Sequence, residues 1–257
     1  MLSVVLAIHN EEKNLAMCLD SVKKIADEII VVDGESTDDS VKIAKKYKAK
    51  VISTTNKSNF HINKQMAMDA AKGDLVLQLD ADEEVDAQLA TFITKIHEEI
   101  LAKKPLEHAA WWLNRKNLFL GKYLTKGGQY PDAVIRLYVN GMARLPQKDV
   151  HEQMEVDGPI GIADGHLIHY SNPTFAAYMR KFNTYTSFTA QTLLAEGTLP
   201  NVGLAVSYLF VKPLVTFVKL DGRQRCYVDG VPGFVFALMS GLHCPIAYIK
   251  LWELSNS

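Results

Sequence analysis

The sequence has few cysteines and almost no net charge, and each shortage excludes a class of protein. Its three cysteines, Cys18, Cys226 and Cys244, are odd in number and far apart. Such a set does not build a disulfide framework or a zinc ribbon and is typical of a reducing cytosol. The formal charge of −1 over 257 residues provides no general attraction to nucleic acid, so we predict no nucleic-acid partner.

The sequence also lacks internal repeats, low-complexity linkers and a basic leader. Its apolar start, 1–8, runs directly into the acidic turn Asn10-Glu11-Glu12, which is not the pattern of a signal peptide. We therefore expect a buried first strand and a cytoplasmic protein. With 48% apolar residues, the chain can bury one sizeable core together with an appendage.

Strand-like and helix-like segments alternate through the first third of the chain. Apolar runs separated by segments with helical spacing are found at 2–8, 28–32, 50–53 and 75–79. This alternation predicts β-α-β units and an α/β fold with a mostly parallel, Rossmann-like sheet and flanking helices. Ligands of such sheets bind beyond the carboxyl ends of the strands, where Ile8, Asp33 and Asp80 fall. We expect 109–170 to be the irregular half of the same catalytic domain, 1–172.

Two carboxylates follow the fourth predicted strand, in Leu79-Asp80-Ala81-Asp82-Glu83. Carboxylates one residue apart at a strand end can share a hard divalent cation, and Mg²⁺ or Mn²⁺ would combine such oxygens with substrate phosphates. The alternative is that these acids cap the following helix.

Two further turns have the same double interpretation. Asp33 ends the second strand and is followed by Gly34-Glu35-Ser36. A carboxylate there can accept a hydrogen bond from a nucleobase or a ribose hydroxyl, or it can form a turn and a helix cap. The turn that ends the first strand, 7–12, is either part of a nucleotide pocket or a capped helix start.

The three turns, in this order, resemble the motifs of the family 2 glycosyltransferases, which have the GT-A fold. That family opens with a strand and a Pro-x-x-Asn-Glu-like turn, continues with Val-Asp-x-x-Ser-Thr-Asp and closes with Leu-Asp-x-Asp. The resemblance covers about the first hundred residues. Ala7 stands where the family usually has proline, and His9 stands where tyrosine is common.

The resemblance implies a nucleotide-sugar site and a metal site. It assigns donor binding to residues at or near the strand ends: Ala7, His9, Glu11, Asp33, Lys64, Asp80 and Ala81. Asp33 would read the base, Asp80 would contact ribose or metal, and Asp82 would hold Mg²⁺ or Mn²⁺ against the diphosphate, with Asp80 as a second ligand. Lys64 would approach the nucleotide, although a solvated helix lysine is the alternative.

The second half resembles, more narrowly, bacterial enzymes that add a sugar to the lipopolysaccharide inner core, including β-1,4-glucosyltransferases acting on core heptose. The motifs that carry this resemblance are Gly127–Asp132, Arg136-Leu137-Tyr138 and Val150-His151-Glu152. It implies inverting transfer from a nucleotide-sugar donor, UDP-glucose, to a lipid-linked saccharide acceptor.

Glu152 is the candidate catalytic base, because the wider family has an acidic residue in this place. His151 would orient Glu152 or act in its place, and a polar pair on an edge strand is the alternative to both roles. Asp164, His166 and His169 either add a third ligand to the metal or are satisfied by local backbone groups.

The tail, 173–257, has a different character. It contains an apolar run at 203–220, the basic Arg223-Gln224-Arg225 and an uncharged run at 231–249. We predict a C-terminal apolar helical appendage that lies on the inner face of the cytoplasmic membrane, since two prolines interrupt the second run. The alternatives are an actual membrane span, an oligomer interface and a helical lid.

Two other functions stay open at this point. A nucleotidyltransferase would carry a glycine-rich basic loop after its first strand, whereas this chain has Asn10-Glu11-Glu12 there. A catalytically silent membrane scaffold would retain the fold without needing both Asp80 and Asp82.

Overall fold

The structure, a computed structural model, describes residues 1–57, 59–146 and 153–256. The chain divides into two compact units. Unit 1 comprises Met1–Arg115 and Asp132–His169, and unit 2 comprises Lys116–Pro131 and Tyr170–Ser257. The backbone therefore enters unit 2, returns to unit 1 and enters unit 2 again. The domain boundary predicted after residue 172 stays a prediction.

Strands and helices alternate first, and strands dominate afterwards. The first elements are β1 (Leu2–Ile8), α1 (Leu15–Val22), β2 (Glu28–Gly34), α2 (Ser40–Lys46), β3 (Lys50–Thr54), α3 (Phe60–Asp69) and β4 (Leu75–Leu79). They are followed by β5 (Glu83–Val85), α4 (Ala87–Leu101), β6 (Ala110–Phe119), β7 (Lys122–Tyr123), β8 (Asp132–Val139), β9 (Ala143–Arg144), β10 (Glu155–Val156) and β11 (Ile160–Asn172).

Within the described residues, nine strands form one sheet in the order β3-β2-β1-β4-β8-β6-β11-β5, with β7 paired to β6. The first four of these are parallel, whereas β8 is antiparallel to β4 and β6. Ile8 lies opposite Asp33, and Leu6 lies opposite Leu79. The carboxyl ends of β1, β2 and β4 therefore meet at one edge of the sheet.

Both faces of the parallel strands are covered, as their continuous apolar sequences predict. Val4 and Leu6 of β1 belong to one buried cluster, which includes side chains of α1 and α4. Val5, between them, belongs to a second cluster with side chains of α3. This alternation is the two-residue period of a strand, and it fixes which strand ends carry the polar turns.

Unit 2 ends in helices. They are α5 (Phe175–Ala195), α6 (Val202–Val206), a π-helical segment (Ser207–Val211), α7 (Lys212–Phe217), a second π-helical segment (Val218–Arg223), a 3₁₀ turn (Cys226–Asp229) and α8 (Gly230–Ser255). The segments from Val202 to Arg223 form one continuous helix, called the exposed helix below. α8 packs against α5 and against the exposed helix. The predicted C-terminal apolar helical appendage is confirmed.

Candidate active site

The turns after β1 and β2 are hydrogen-bonded to each other. Nδ1 of His9 lies 2.6 Å from the Gly34 carbonyl oxygen, and the Thr37 amide donates to Oδ1 of Asn10 at 2.8 Å. The Glu11 amide donates to a serine hydroxyl at the start of α2 at 2.7 Å. These bonds hold the predicted base-and-ribose residues of the two strands as one shelf at the sheet edge.

Asp33 forms part of this shelf. Asp33 is buried, and the residue before it, Val32, pairs with Ala7 of β1. Both carboxylate oxygens of Asp33 lie 3.3 Å from the Ser36 amide nitrogen. The N-cap position of α2 is occupied by Asp39. Asp33 therefore closes a turn, but it does not cap the helix.

Asp80, at the end of β4, lies between two cations. Nζ of Lys64 contacts its Oδ1, and Nη2 of Arg136 lies 2.6 Å from its Oδ2. Lys64 is buried, with 7% of its surface exposed, so its interpretation as a solvated helix lysine is wrong. The helix α3 thus places the Lys64 ammonium group against the acidic turn.

The charge pattern continues behind Asp80. Glu83 is fully buried, and its carboxylate accepts the Asp80 amide proton at 3.0 Å. Arg136 and Arg115 each lie 3.4 Å from the same carboxylate, and Arg115 pairs with Asp132 at 2.8 Å. The hydrogen bond to Glu83 therefore holds the backbone of Asp80 in place, and the ion pairs with Lys64 and Arg136 hold its side chain.

The ion pairs determine the protonation of Asp80. Burial alone would raise the pKa of its carboxyl, but the positive charges of Arg136 and Lys64 outweigh burial and hold that pKa far below its usual range. Burial likewise opposes the charge of Arg136, yet Asp80 and Glu83 raise the pKa of its guanidinium further. Asp80 is therefore ionised at neutral pH.

Asp82 faces a histidine rather than an arginine. Its Oδ2 lies 3.5 Å from Nε2 of His169, and both side chains are mostly buried. His166 instead contacts Asp86 at 3.2 Å, and Asp86 caps α4 by accepting the Leu89 amide proton at 2.8 Å. The interpretation of Asp80 and Asp82 as caps of the following helix is therefore wrong.

The described residues contain no group of three or more His, Cys, Asp or Glu side chains arranged to hold a metal. Asp82 and His169 provide two adjacent donors of the oxygen and imidazole types. Two protein ligands suit a cation such as Mg²⁺, which keeps several waters and binds substrate phosphates. Asp80 could join them as a further ligand while it keeps its contacts with Lys64 and Arg136, because a carboxylate offers about four lone-pair sites.

A cavity of about 250 Å³ opens beside Asp80. Its charged lining is Lys64, Arg115 and Arg136 together with Asp80, and Gln153 contributes to its wall. Each of the three cations is already paired with a carboxylate, so an anionic ligand in this cavity would share them with the acidic side chains. The candidate bases His151 and Glu152 lie outside the described residues.

Four polar residues of this network were not predicted as site residues: Gln78, Glu83, Arg115 and Arg136. One signal was present in the sequence, because Arg136 interrupts the apolar strand Ala133-Val134-Ile135-Arg136-Leu137. A charged residue is rarely buried unless it is paired, so a lone arginine in such a strand indicates a buried partner. The partner itself could not be identified without the order of the strands.

The comparison with known proteins decides the family. Residues 3–101 match the family model described as Glycosyl transferase family 2. An uncharacterized glycosyltransferase of Rickettsia typhi is 31% identical over 264 aligned residues, which cover 99% of this chain and 87% of the relative. The chain belongs to the family 2 glycosyltransferases. Its α/β sheet is accordingly the GT-A fold that the sequence motifs predict.

Other relatives of this glycosyltransferase carry more specific names. The lipopolysaccharide core biosynthesis glycosyltransferase LpsC of Rhizobium meliloti is 26% identical, and the alignment covers 98% of this chain and 92% of LpsC. Among solved structures, S. aureus TarS 1–349 in complex with UDP is 16% identical with a TM-score of 0.48, covering 99% of this chain and 91% of that chain.

Proposed function

We propose that this glycosyltransferase moves a hexose, glucose from UDP-glucose, to the lipopolysaccharide core or another membrane-bound glycan, with inversion at the anomeric carbon. The observation that carries the proposal is the acidic turn of Asp80 and Asp82 beside the ends of β1 and β2, in which Asp80 is paired with Lys64 and Arg136. A nucleoside diphosphate needs both an acidic metal-binding turn and nearby cations.

In this proposal the donor nucleotide lies on the shelf at the sheet edge. Ala7, His9 and Glu11 contact the base and ribose, and the Asp33 carboxylate accepts a hydrogen bond from the base. Ala81, the buried residue between the two acids, contacts the nucleotide-sugar through its backbone. The proposal is supported by the hydrogen bonds that join the two turns.

Asp82 and His169 would hold Mg²⁺ or Mn²⁺, with Asp80 as the predicted further ligand. A bound divalent cation supplies neutralisation of charge on the departing diphosphate. Lys64 and the arginines of the cavity add fixed positive charge on the same side. A preorganised site of this kind stabilises developing charge without reorganisation of solvent.

The proposed base is Glu152, with His151 orienting it or replacing it. Both precede Gln153, which lines the cavity beside Asp80. The base takes the proton of the acceptor hydroxyl while that oxygen forms a bond to C1 of the sugar from the face opposite the diphosphate. The bond from C1 to the phosphate oxygen breaks, and UDP leaves with its electron pair. General-base assistance of this type contributes roughly 10²–10⁴-fold to a rate.

The acceptor class is supported by the name of LpsC, a lipopolysaccharide core glycosyltransferase that aligns over nearly the whole chain. In this proposal the acceptor is held in the inner leaflet. The enzyme would therefore work as a peripheral protein on the cytoplasmic face of the inner membrane. Two helices in the described part of the chain, Val202–Arg223 and Cys226–Ser255, are long and apolar enough to cross a membrane by length and composition alone, with a mean hydropathy of 1.5 each.

The test is release of UDP from UDP-glucose by the purified protein, with and without Mg²⁺ or Mn²⁺ and with and without lipopolysaccharide core acceptor. We expect metal-dependent release that the acceptor stimulates and that Asp82→Asn abolishes. Asp20→Asn, which alters a half-exposed acid on α1, is the matched control and should retain activity. A protein that neither binds UDP nor turns over any nucleotide-sugar would be a silent scaffold, and the proposal would be wrong.

A further inference from the structure

The exposed helix has an apolar sequence but little cover. It is 22 residues long with a mean hydropathy of 1.5, and none of the residues in its most apolar stretch is buried within the described structure. Leaving the apolar face of such a helix in water is costly, because burial stabilises by about 25 cal/mol per Å² of apolar surface. A contiguous exposed apolar surface of this kind marks an interaction site.

The exposed side chains of this helix form one stripe. It consists of Val202, Val206, Phe210, Leu214 and Val218, flanked by Val211 and Val215, with exposures between 49% and 83%. Steps of four residues keep side chains on one side of a helix. The stripe therefore runs the length of the helix as a single apolar face.

α8 carries a second exposed apolar stripe. It consists of Val231, Phe234, Leu238, Leu242, Ile249 and Trp252. The two helices form an antiparallel hairpin, since the rings of Tyr208 and Tyr248 lie 6.2 Å apart and those of Phe217 and Phe234 lie 5.6 Å apart. The hairpin thus offers apolar side chains along both of its arms.

The positive net charge of unit 2 favours an anionic partner. Its sequence contains ten Lys and Arg residues against four Asp and Glu residues, a formal charge of +6, and unit 1 is correspondingly −7. Lys212, Lys219, Arg223 and Arg225 lie on the exposed helix or at the tip of the hairpin. Apolar helices with basic residues bind the interface of anionic bilayers, where each cation near the surface is worth about 1 kcal/mol.

The tip of the hairpin is attached to the body of unit 2. The Asp229 carboxylate, almost fully buried, accepts hydrogen bonds from the Thr125 amide and hydroxyl and from the Lys126 amide at 2.7–2.9 Å. The Gly127 amide donates to the Gln224 carbonyl at 3.1 Å. A hairpin crossing a bilayer would take this loop and its lysines across as well, and charged groups are expensive in hydrocarbon.

We propose that unit 2 docks on an anionic phospholipid surface with the hairpin lying in the plane of the interface and not crossing it. The stripe of the exposed helix enters the acyl boundary, the α8 stripe adds to it, and the basic residues contact phosphate headgroups. This inference rests on the proposed function, because a membrane-bound acceptor is what makes the location useful.

Binding is tested by sedimentation with phosphatidylcholine vesicles with and without phosphatidylglycerol. We expect binding only with the anionic lipid and release at raised salt. Phe210→Ser and Leu214→Ser should each weaken partitioning about tenfold. Ile162→Ser, which changes an equally exposed apolar residue of unit 1 (71% exposed), is the control and should bind like the wild type.

Orientation is tested with Gly222→Cys in a Cys244→Ser background, since Cys18 and Cys226 are buried and a side chain at 222 meets no atom within 4 Å. The protein is added outside sealed vesicles and treated there with a membrane-impermeant maleimide. Full labelling supports the in-plane arrangement. Protection that detergent removes would mean that the tip has crossed the bilayer, and the inference would be overturned.

The same variants separate this inference from the proposed function. Hydrolysis of soluble UDP-glucose should need no membrane. We therefore expect Phe210→Ser to keep metal-dependent UDP release but to lose its binding to vesicles. Wild-type protein that hydrolyses UDP-glucose but ignores anionic vesicles would refute only the docking surface. If it forms a dimer that Leu214→Ser converts to a monomer, and does not bind vesicles, the stripe belongs to a second copy and the lipid proposal fails.

Discussion

Arg136→Met tests whether the buried charge network holds unit 1 together. Arg136 is 9% exposed and contacts three polar side chains, those of Gln78, Asp80 and Glu83. Methionine preserves much of the apolar stem but removes the guanidinium. Among the described residues, the change leaves the fully buried Glu83 with one arginine, at 3.4 Å, and leaves Asp80 with one lysine.

The expected cost follows from these contacts. Removing one partner of a buried ion pair destabilises a protein by about 3–5 kcal/mol, because it leaves a buried charge uncompensated. Asp80 and Glu83 each keep one other cation, so we expect the lower limit, a loss of about 3 kcal/mol. For a chain of this size, that loss lowers the melting temperature by about 6–12 °C.

The assay is urea denaturation at neutral pH, followed by tryptophan fluorescence. Two of the three tryptophans, Trp111 and Trp112, lie on β6 within unit 1, so the signal reports mainly on that unit. Arg144→Met is the matched control, because Arg144 is 74% exposed and pairs with Glu155 at 2.7 Å on the surface. Exposed pairs contribute about 0–1 kcal/mol.

Equal free energies of unfolding for Arg136→Met and Arg144→Met would refute the reasoning, because burial would then have no effect on how much an ion pair stabilises the protein. A second comparison isolates the uncompensated charge. Adding Glu83→Gln to Arg136→Met should recover part of the lost stability, since the buried carboxylate that lacks its partner is then neutral. Further loss in the double variant would contradict this explanation, because the Glu83 carboxylate would then stabilise unit 1 even without Arg136, through Arg115 or the Asp80 amide.

Three further predictions concern single positions. Since the pKa of Asp80 is lowered by folding, its contribution to stability is complete above about pH 4 and is lost as the pH falls. The difference in unfolding free energy between wild type and Asp80→Asn should therefore narrow below that pH, and a constant difference in urea titrations would contradict this. Asp229→Asn should lower the free energy of unfolding by about 2 kcal/mol and should speed hydrogen exchange of the Thr125 and Lys126 amides. Unchanged exchange would contradict the role of Asp229 in holding this loop. Gly165→Ala, at φ +93° with its new Cβ against the backbone of Leu89, should lower the melting temperature far more than Gly141→Ala, at φ +84° in open space.

The sequence was most informative where one strand or one turn decides the structure. The parallel strands, the end positions of Asp33 and Asp80 and the C-terminal helices follow from local apolar periods and turn residues. Helix starts were less predictable. The turn 7–12, for which a capped helix start was one alternative, is followed by a helix only from Leu15, because Asn10 adopts φ +56° and hydrogen-bonds to the turn after β2.

The contacts of the acidic turn could not be predicted for a different reason. Asp80 and Arg136 are 56 residues apart and meet because β8 lies antiparallel beside β4. Nothing in a local window specifies that pairing. The same holds for His169, which reaches Asp82 because β11 pairs with β5.

The hydrogen bonds between Thr125 and Asp229 have a consequence for synthesis on the ribosome. Their partners are 104 residues apart, and at about 5–20 residues per second the second partner follows the first by roughly 5–20 s. During the first part of that interval, while Asp132–His169 of unit 1 is made, Lys116–Pro131 is present without the rest of unit 2. Unit 2 is therefore completed last, and a nascent chain stalled before Asp229 would expose an unfinished loop to proteases and chaperones.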